Sequence, residues 1–593
     1  MNLRADGIFP TGLTDGYKLD HRRQYINGTT DVVANMTPRK SRIPGVEGVV
    51  VFGVQYYSLS TLIEIWNRDF FQRDINEITD DYVQELIEYT LSPETVKEMG
   101  TEHWTALHKL GYMPLEIRAL EEGTICPIKV PCYTVRETHP DFFWLVNYIE
   151  TDMSAETWPL MTTATIAHEY KKIFHKWAKK TGGDLNFIDL QGHNFSYRGN
   201  FGREAALLAD MGHLTSFRGS DTFPGRKRMK QYYKAKQDGF KDIISCSVSA
   251  TEHAVMCSSI GFFIKKDGLT WEKYGEAEFQ VFKRLITELY PSGFVSIVSD
   301  TFNLWKVLMD FIPRLKNEIM ARDGKVIIRP DSGDPADILC GLNIEEYNTL
   351  EEAKEDFKED LYDNTVHGEP EFTIDTTRII KVNNQYYELS ESTEWNRYDK
   401  QYYFIEEMEI NSKEIDSKPS YKGVVELLWD TFKGTFVTGE DSKQYKVLDS
   451  HIGCIYGDSI TLERAENICS RLAKKGFVST NWVAGIGSYT YQYVTRDTFG
   501  FAQKATFTKF ILDGEEIGCE IFKDPITDDG TKKSARGLVM VLKDENGKYY
   551  LRDQVSEEEF NSDENELKVV FRNSEIIRDF SLEKIRESLN SKL

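Results

Sequence analysis

Short apolar runs that end abruptly in polar turn residues recur through the middle of the chain. The clearest is 325–328, a β-branched run that stops at Arg329-Pro330-Asp331-Ser332-Gly333. These turn formers cannot continue a strand ladder, so the pattern predicts a buried strand with a guanidinium and a carboxylate at its carboxyl end. In β/α barrels and open α/β sheets, ligands bind at that end of the strands.

Six further segments follow the same design, at 185–190, 214–217, 243–248, 294–298, 452–456 and 478–483, and most precede a helical pattern. This alternation is typical of parallel strands joined by helical crossovers, and seven units favour a β/α barrel over an open sheet. A cap or a turn is the ordinary explanation for any single polar tip. It does not explain the whole set, which carries Arg198, Asp221, His253, Asp300, Arg329, Asp331 and Asp458.

The surrounding segments predict further units. Residues 1–184 have mixed patterns typical of an α+β domain, and Gly182-Gly183-Asp184 is a good helix stop. The barrel is predicted over 185–499, and a β-rich insertion over 342–422 has a hairpin signal at Asn383-Asn384 and another strand at 401–405. Residues 500–593 are rich in hairpins and are expected to pack with the N-terminal domain. The predicted fold class is therefore α/β: an irregular β/α barrel, a mixed α+β domain built from both chain ends, and a small insertion.

Composition limits the partners that this chain can have. It has 593 residues with 72 basic and 95 acidic side chains, a net charge of -23. Such a surface repels nucleic acid and anionic membranes, so neither is an expected partner, and phosphates must bind in a local basic pocket. The eight cysteines form no Cys-x-x-Cys pair, no apolar run could cross a bilayer, and the N-terminus lacks a signal-peptide core. A cytoplasmic setting is expected.

The polar tips offer groups for a phosphorylated ligand. The turn at Gly485-Ile486-Gly487-Ser488 suits an anion held by backbone N–H groups. Basic side chains could clamp phosphate oxygens, and carboxylates could hold ribose hydroxyls or a hydrated Mg²⁺. The basic candidates are Arg198, Arg329, Arg496, Lys504 and Lys523, and the acidic ones are Asp300, Asp331 and Asp458. The chain has neither a Walker A lysine loop nor a full dinucleotide fingerprint. The residues alone therefore predict a barrel that binds a phosphorylated sugar, with the reaction left open.

Nine motifs give the sequence a specific resemblance, in order and spacing, to nicotinamide phosphoribosyltransferases of the type II phosphoribosyltransferase group. They are DGYK (15–18), FSYRG (195–199), GSDT (219–222), EH (252–253), VSD (298–300), IRPDSG (328–333), GD (457–458), TRD (495–497) and FKDP (522–525). The resemblance covers nearly the whole chain except the insertion. It implies the type II barrel and a reaction in which nicotinamide and phosphoribosyl pyrophosphate give nicotinamide mononucleotide and pyrophosphate, a step of NAD salvage.

The resemblance also implies roles for individual residues. Phe195 would stack on one face of the pyridine ring, Tyr17 of a second subunit on the other, and Asp221 would accept from the carboxamide. Arg329 and Asp331 would hold the ribose and the leaving pyrophosphate, and Gly457, Asp458, Gly487 and Ser488 would cradle the 5′-phosphate. Further phosphate contacts would come from Arg198, Arg39, Arg496, Lys504 and Lys523, some across the interface of a homodimer with shared sites. The implied catalytic set is His253, Asp300, Arg329 and Asp331.

Two cofactors are implied by the same resemblance. ATP would stimulate the reaction by phosphorylating His253. Mg²⁺ would arrive with pyrophosphate rather than on a metal site of the protein.

Three departures and two rivals remain. Ser488-Tyr489 replaces part of the family's glycine run, Asn194 stands where the family usually has aspartate, and the insertion has no counterpart in the resemblance. The first alternative is a nicotinate phosphoribosyltransferase. Asp221 disfavours this alternative, because its carboxylate would face the carboxylate of nicotinate. The second rival is a catalytically silent barrel that serves in binding.

Overall fold

A computed structural model describes residues 9–89, 91–236, 242–367, 377–391, 409–457, 459–527 and 534–593. The strands are β1 (Thr29–Thr37), β2 (Gly48–Val50), β3 (Leu115–Ala119), β4 (Ile125–Pro127), β5 (Tyr133–Glu137), β6 (Gly192–Asn194), β7 (Gly219–Ser220), β8 (Ser249–Ala250), β9 (Gly293–Val298), β10 (Gly324–Arg329), β11 (Glu345–Tyr347), β12 (Thr377–Val382), β13 (Gln385–Glu391), β14 (Ile410–Ile415), β15 (Gly434–Thr438), β16 (Gln444–Leu448), β17 (Ile452–Tyr456), β18 (Trp482–Ile486), β19 (Ala502–Leu512), β20 (Glu515–Glu520), β21 (Leu538–Lys543), β22 (Tyr549–Val555), β23 (Lys568–Arg572) and β24 (Glu575–Ile576).

The α-helices are α1 (His21–Gln24), α2 (Val54–Tyr57), α3 (Ile75–Glu88), α4 (Pro93–Met99), α5 (Glu102–Leu110), α6 (Leu145–Tyr148), α7 (Glu150–Thr181), α8 (Ile188–Gln191), α9 (Arg203–Leu214), α10 (Gly225–Tyr232), α11 (His253–Lys266), α12 (Tyr274–Arg284), α13 (Leu304–Lys306), α14 (Ile312–Arg314), α15 (Lys316–Met320), α16 (Pro335–Cys340), α17 (Leu350–His367), α18 (Pro419–Phe432), α19 (Leu462–Lys474), α20 (Ser488–Tyr491), α21 (Glu557–Phe560) and α22 (Leu582–Asn590). Among the described residues, no helix has the length and apolar character that a bilayer crossing requires.

A curled parallel sheet forms the centre of the molecule. Its strand order is β7-β6-β18-β17-β10-β9-β8, and every neighbouring pair is parallel. A single parallel bridge between Gly219 of β7 and Cys246, just before β8, joins the two edges. The core between this sheet and its helices is continuous and includes Val326, Ile328, Cys454 and Trp482. The predicted α/β fold class with parallel strands and helical crossovers is confirmed.

Three of the seven predicted strands, 294–298, 325–328 and 452–456, lie within β9, β10 and β17. The prediction of a strand at 185–190 is wrong, because that run forms a 3₁₀ turn (Leu185–Phe187) and α8, and the strand β6 begins at Gly192. The side chain of Asp184 accepts from the Asn186 N–H and starts this helical segment. A short apolar run cannot distinguish a strand from a buried helical turn, so the periodicity was equivocal there.

The remaining three predicted strands are displaced. Segment 214–217 belongs to the end of α9 and the turn after it, and the strand is the two-residue β7. In 243–248 only Cys246 makes a bridge, and β8 follows at Ser249–Ala250. Segment 478–483 starts in a 3₁₀ turn (Ser479–Asn481), so β18 begins at Trp482. In each case the strand starts later than predicted and ends nearer to the polar tip.

Both chain ends build a second sheet of order β20-β19-β1-β5-β3-β23-β24, whose core includes Met36, Ile117, Val135 and Phe571. The insertion forms a four-stranded sheet of order β11-β12-β13-β14 with α17 against it. The predicted hairpin at Asn383-Asn384 joins β12 and β13, and both asparagines have positive φ, as a two-residue turn of this kind requires. The predicted strand at 401–405 lies outside the described residues.

Candidate functional site

The carboxyl ends of the parallel strands bring most of the predicted tip residues to one edge of the curled sheet. Asp300 follows β9, Arg329 ends β10, and Asp331 follows it by two residues. The other tips follow β6, β7, β8, β17 and β18, and they carry Phe195, Arg198, Asp221, His253, Gly457, Gly487 and Ser488. Parallel strands in one sheet necessarily place these ends together. Asp458 lies outside the described residues.

Two carboxylates and a histidine occupy the tips of β8, β9 and β10. Asp300 Oδ2 accepts from the Asp331 N–H at 2.9 Å and from the Ser332 hydroxyl at 2.6 Å. Asp300 Oδ1 is buried and meets no donor among the described residues. His253 Nε2 lies 3.9 Å from that oxygen and 4.0 Å from Asp331 Oδ2, and its side chain is 47% exposed. The imidazole is therefore accessible and faces two acidic groups.

Arg329 lies between these carboxylates and the tip of β7. Its Nη2 donates to the Thr251 carbonyl, while its buried Nε finds no acceptor in the described part of the chain. Burial lowers the pKa of Arg329, and the charges of Asp331 and Asp221 oppose that shift. A half-buried guanidinium of this kind is a group that can bind an anion.

Asp221 and Phe195 form the far end of the site. Asp221 Oδ1 is 2.9 Å from His193 Nε2 and accepts from the Ser247 hydroxyl at 2.5 Å. Burial by itself would raise the pKa of Asp221, but the hydrogen bonds and charges, first of all those of His193, outweigh it and lower that pKa. The rings of His193 and Phe195 lie 4.6 Å apart, inclined by 32°. The carboxylate of Asp221 and the ring of Phe195 thus both contact His193.

Close backbone packing shapes the tips of β17 and β18. The Gly457 N–H donates to the Pro330 carbonyl at 3.1 Å. A Cβ atom on Gly457 would lie 2.2 Å from Asp331 Oδ1, so a side chain at 457 would displace the Asp331 carboxylate. In the same way, a Cβ atom on Gly199 would lie 2.0 Å from Ser488 Oγ, so the loop that carries Arg198 packs directly on Ser488.

A second group of predicted ligand residues lies on the sheet of the chain ends and its flanks. Arg39 follows β1, and its Nε donates to the Gly500 carbonyl at 3.0 Å. Lys504, on β19, forms an ion pair with Glu150 at 3.3 Å.

Tyr17 belongs to the same group, and its side chain is 69% exposed. Partial burial, with Asp15 and Glu150, raises the pKa of Tyr17, and Arg496 opposes the shift, so Arg496 belongs to this group. Lys523 is exposed beyond β20. Within the described residues, no hydrogen bond or ion pair joins this group to the strand tips.

Comparison with known proteins yields a family and close relatives. The model of the nicotinate phosphoribosyltransferase (NAPRTase) family matches residues 190–381 and 412–574. The chain belongs to this family. A nicotinamide phosphoribosyltransferase of Acinetobacter baylyi is 40% identical, over 99% of this chain and 98% of that protein. One of Mycoplasma pneumoniae is 27% identical, over 88% of this chain and 93% of that protein. The structure of a nicotinate-nucleotide pyrophosphorylase from Pyrococcus furiosus aligns with a TM-score of 0.45 and 13% identity, covering 99% and 96% of the two chains.

The NAPRTase-family match begins at residue 190, just before β6, and therefore includes the strand tips described above. Sequence reasoning missed several side chains there that position the predicted ones. His193 and Ser247 hold Asp221, and Ser332 holds Asp300. His193 could have been found, since strand alternation places it on the same face as Phe195, two residues later. Ser247 carried no signal, because its partner is 26 residues away and the contact depends on the closed sheet.

Proposed function

We propose that this chain is a nicotinamide phosphoribosyltransferase that joins nicotinamide to phosphoribosyl pyrophosphate in NAD salvage. The observation that carries the proposal is the ionised Asp221, held by His193 and Ser247 beside the ring of Phe195. The names of the relatives in Acinetobacter and Mycoplasma support the same reaction. The enzyme acts in the cytoplasm under this proposal.

Nicotinamide binds with its ring against Phe195 and its carboxamide toward Asp221. Because Asp221 Oδ1 already accepts two hydrogen bonds, Oδ2 is the oxygen that accepts from the carboxamide NH₂. Nicotinate would bring a second carboxylate to the same place and be repelled. This contrast makes the site selective for the amide.

The phosphoribosyl group binds between Arg329, Asp331 and the tips of β17 and β18. The Arg329 guanidinium binds phosphate oxygens, and Asp331 accepts from ribose hydroxyls. The backbone around Gly457, Gly487 and Ser488 cradles the 5′-phosphate, with Arg198 beside it. In the reaction the pyridine nitrogen bonds to the anomeric carbon as the carbon–oxygen bond to pyrophosphate breaks. Fixed cations stabilise the departing charge, so catalysis is largely electrostatic.

The residues at the tip of β9 fit a cation carried by pyrophosphate. The buried, unpartnered Oδ1 of Asp300 and the nearby carboxylate of Asp331 are oxygen ligands of the kind that Mg²⁺ prefers. When bound, Mg²⁺ would neutralise charge on the leaving group. The protein's part is to hold the Asp300 carboxylate in place, through hydrogen bonds from the Ser332 hydroxyl and the Asp331 N–H.

ATP stimulates the enzyme by phosphorylating His253. The exposure of the imidazole and its place beside Asp300 and Asp331 support this role. A phosphorylated His253 would lie close to the pyrophosphate subsite and couple ATP cleavage to product formation.

The active enzyme is a homodimer with shared sites. Tyr17, Arg39, Arg496, Lys504 and Lys523 lie apart from the strand tips, and they supply the second ring face and further phosphate contacts from the other subunit. This arrangement would explain why Tyr17 is exposed in one chain.

A product assay tests the proposal. The unmodified protein, given phosphoribosyl pyrophosphate, Mg²⁺ and ATP with either base, should form nicotinamide mononucleotide at a much higher kcat/KM than nicotinate mononucleotide. A preference for nicotinate would establish the alternative named by the family description. Absence of both products would leave the silent binding barrel.

A further inference from the structure

Asp210 is a fully buried carboxylate on α9, directly behind the predicted base site. Its Oδ1 accepts from the Ser220 hydroxyl at 2.5 Å and from Asn194 Nδ2 at 2.8 Å. Its Oδ2 has no donor among the described residues. The function proposed above makes no use of this group.

The two donors to Asp210 belong to the two strands that carry the base-holding side chains. Asn194 ends β6, one residue before Phe195, and Ser220 ends β7, one residue before Asp221. One carboxylate oxygen therefore ties together the tips of two neighbouring strands.

The same two side chains also fix the backbone of each tip. Asn194 Oδ1 accepts from the Ser196 N–H at 2.9 Å, and the Asn194 carbonyl accepts from the Asp221 N–H at 3.0 Å. Ser220 Oγ accepts from the Thr222 N–H at 3.0 Å. Each side chain thus donates to Asp210 and accepts from its own turn, which leaves one arrangement of donors and acceptors.

In the contact between Asn194 and Asp210, the amide of Asn194 is the donor and the carboxylate of Asp210 is the acceptor. The amide at 194 both accepts from the Ser196 N–H and donates to a carboxylate, which an ionised aspartate there could not do. Burial raises the pKa of Asp210 to about 7, and the hydrogen bonds from Ser220 and Asn194 oppose that shift. A second carboxylate at 194 would face the first at hydrogen-bond distance, where like charges are strongly unfavourable.

We infer that Asp210 is a positioning residue that, through Asn194 and Ser220, sets the spacing between the ring of Phe195 and the carboxylate of Asp221. The inference rests on the proposed function for its substrate and on the hydrogen bonds for its geometry. It also accounts for the asparagine at 194, since the carboxylate of this pair lies on α9 instead.

A charge-swapped pair tests this role. In Asn194→Asp alone, two carboxylates face each other and the hydrogen bond from residue 194 to Asp210 is lost. The nicotinamide KM should rise about tenfold, which is the usual effect of losing a hydrogen bond to a charged group. The KM for phosphoribosyl pyrophosphate should change little. Asn194→Asp with Asp210→Asn restores one donor and one acceptor, and should return the nicotinamide KM to within about twofold of the unmodified value. Ser216→Ala is the matched control, since it removes a buried hydroxyl without a partner among the described residues.

Amide hydrogen exchange gives a readout that does not need catalysis. Exchange at Ser196, Asp221 and Thr222 should be faster in Asn194→Asp and restored in the double variant, with melting temperature measured to confirm folding. Unchanged exchange and unchanged nicotinamide KM in folded Asn194→Asp, or no restoration in the swap, would overturn the positioning role. An unmodified protein that makes no nicotinamide mononucleotide would instead overturn the proposed function, and exchange would still decide whether Asp210 ties the two tips.

Discussion

The carboxylate of Asp221 is oriented by His193, whose Nε2 lies 2.9 Å from Asp221 Oδ1. His193 in turn inclines its ring over Phe195 at 4.6 Å. One imidazole therefore sets both the acceptor and the aromatic face that a pyridine carboxamide would meet. Selection between the two bases should depend on this unit.

Asp221→Ala should weaken the use of nicotinamide by about tenfold or more, because a hydrogen bond to a charged group is worth roughly 1.5–3 kcal/mol. Its use of nicotinate should rise, because the repelling charge is gone. Steady-state kinetics with both bases measure the two changes, and Asp242→Ala, which removes an exposed carboxylate, is the control. Equal use of both bases by the unmodified protein would contradict this account of selectivity.

His253→Ala should abolish stimulation by ATP and leave a slow basal reaction, since Arg329 and Asp331 remain. Acid-labile label from γ-labelled ATP should appear on the unmodified protein and be absent from the variant. His451→Ala is a suitable control, because His451 lies at the amino end of β17, away from the tips. Full stimulation in His253→Ala would remove the residue from the ATP-dependent step.

Mixing Tyr17→Ala with Asp331→Ala should restore part of the activity that each variant lacks. A heterodimer with shared sites contains one site with both changes and one with neither. Activity is measured after subunit exchange, which mass spectrometry of differently tagged chains verifies. If verified heterodimers stay inactive, Tyr17 does not act across an interface.

Replacing residues 344–418 with a short Gly/Ser linker should leave a folded and active enzyme. The ends of the insertion already meet, since the Leu342 N–H donates to the Ser420 carbonyl at 2.9 Å. A short connection between neighbouring ends has a small entropic cost. Tyr421 is retained because its carbonyl accepts from Lys475. Circular dichroism and the product assay measure the outcome, and loss of catalysis in a well-folded deletion would show that the insertion reaches the site.

Glu557→Gln should destabilise the protein at neutral pH and matter less in acid. Hydrogen bonds from Arg136 lower the pKa of Glu557 from 4.5 to about 2. The folded-state pKa is the lower one, so this carboxylate stabilises the fold above pH 4.5 and progressively less as pH falls toward 2. The difference in melting temperature between the variant and the unmodified protein should narrow over that window. Glu564→Gln, at an exposed position, should show no such trend.

The sequence predicted best where local chemistry decides the structure. The β-branched run 325–328 followed by Arg329-Pro330-Asp331 has one reasonable structure, and β10 ends at Arg329 as expected. At 185–190 the apolar run is compatible with helix or strand, and the Asp184 cap decides for the helix. Local sequence patterns therefore predict which polar residues follow the strands, but they do not always predict where each strand lies.

Contacts that depend on closure of the sheet could not be predicted. Ser247 reaches Asp221 only because the segment before β8 returns to β7. The unused oxygen of Asp300 and the tie between Asn194 and Asp210 likewise depend on neighbours from separate elements. Residue types suggest such groups, whereas their pairing is a property of the assembled fold.

The bridge between Gly219 and Cys246 closes the barrel, and among the described residues it is the shortest pairing in the sheet. Two backbone hydrogen bonds secure it, from the Cys246 N–H to the Arg218 carbonyl at 2.7 Å and from the Ser220 N–H to the Cys246 carbonyl at 3.0 Å. Asp221 and Ser247 come directly after these residues on the two sides of the bridge. Opening of the sheet at this bridge would separate Asp221 from Ser247, so the position of the Asp221 carboxylate depends on closure of the barrel.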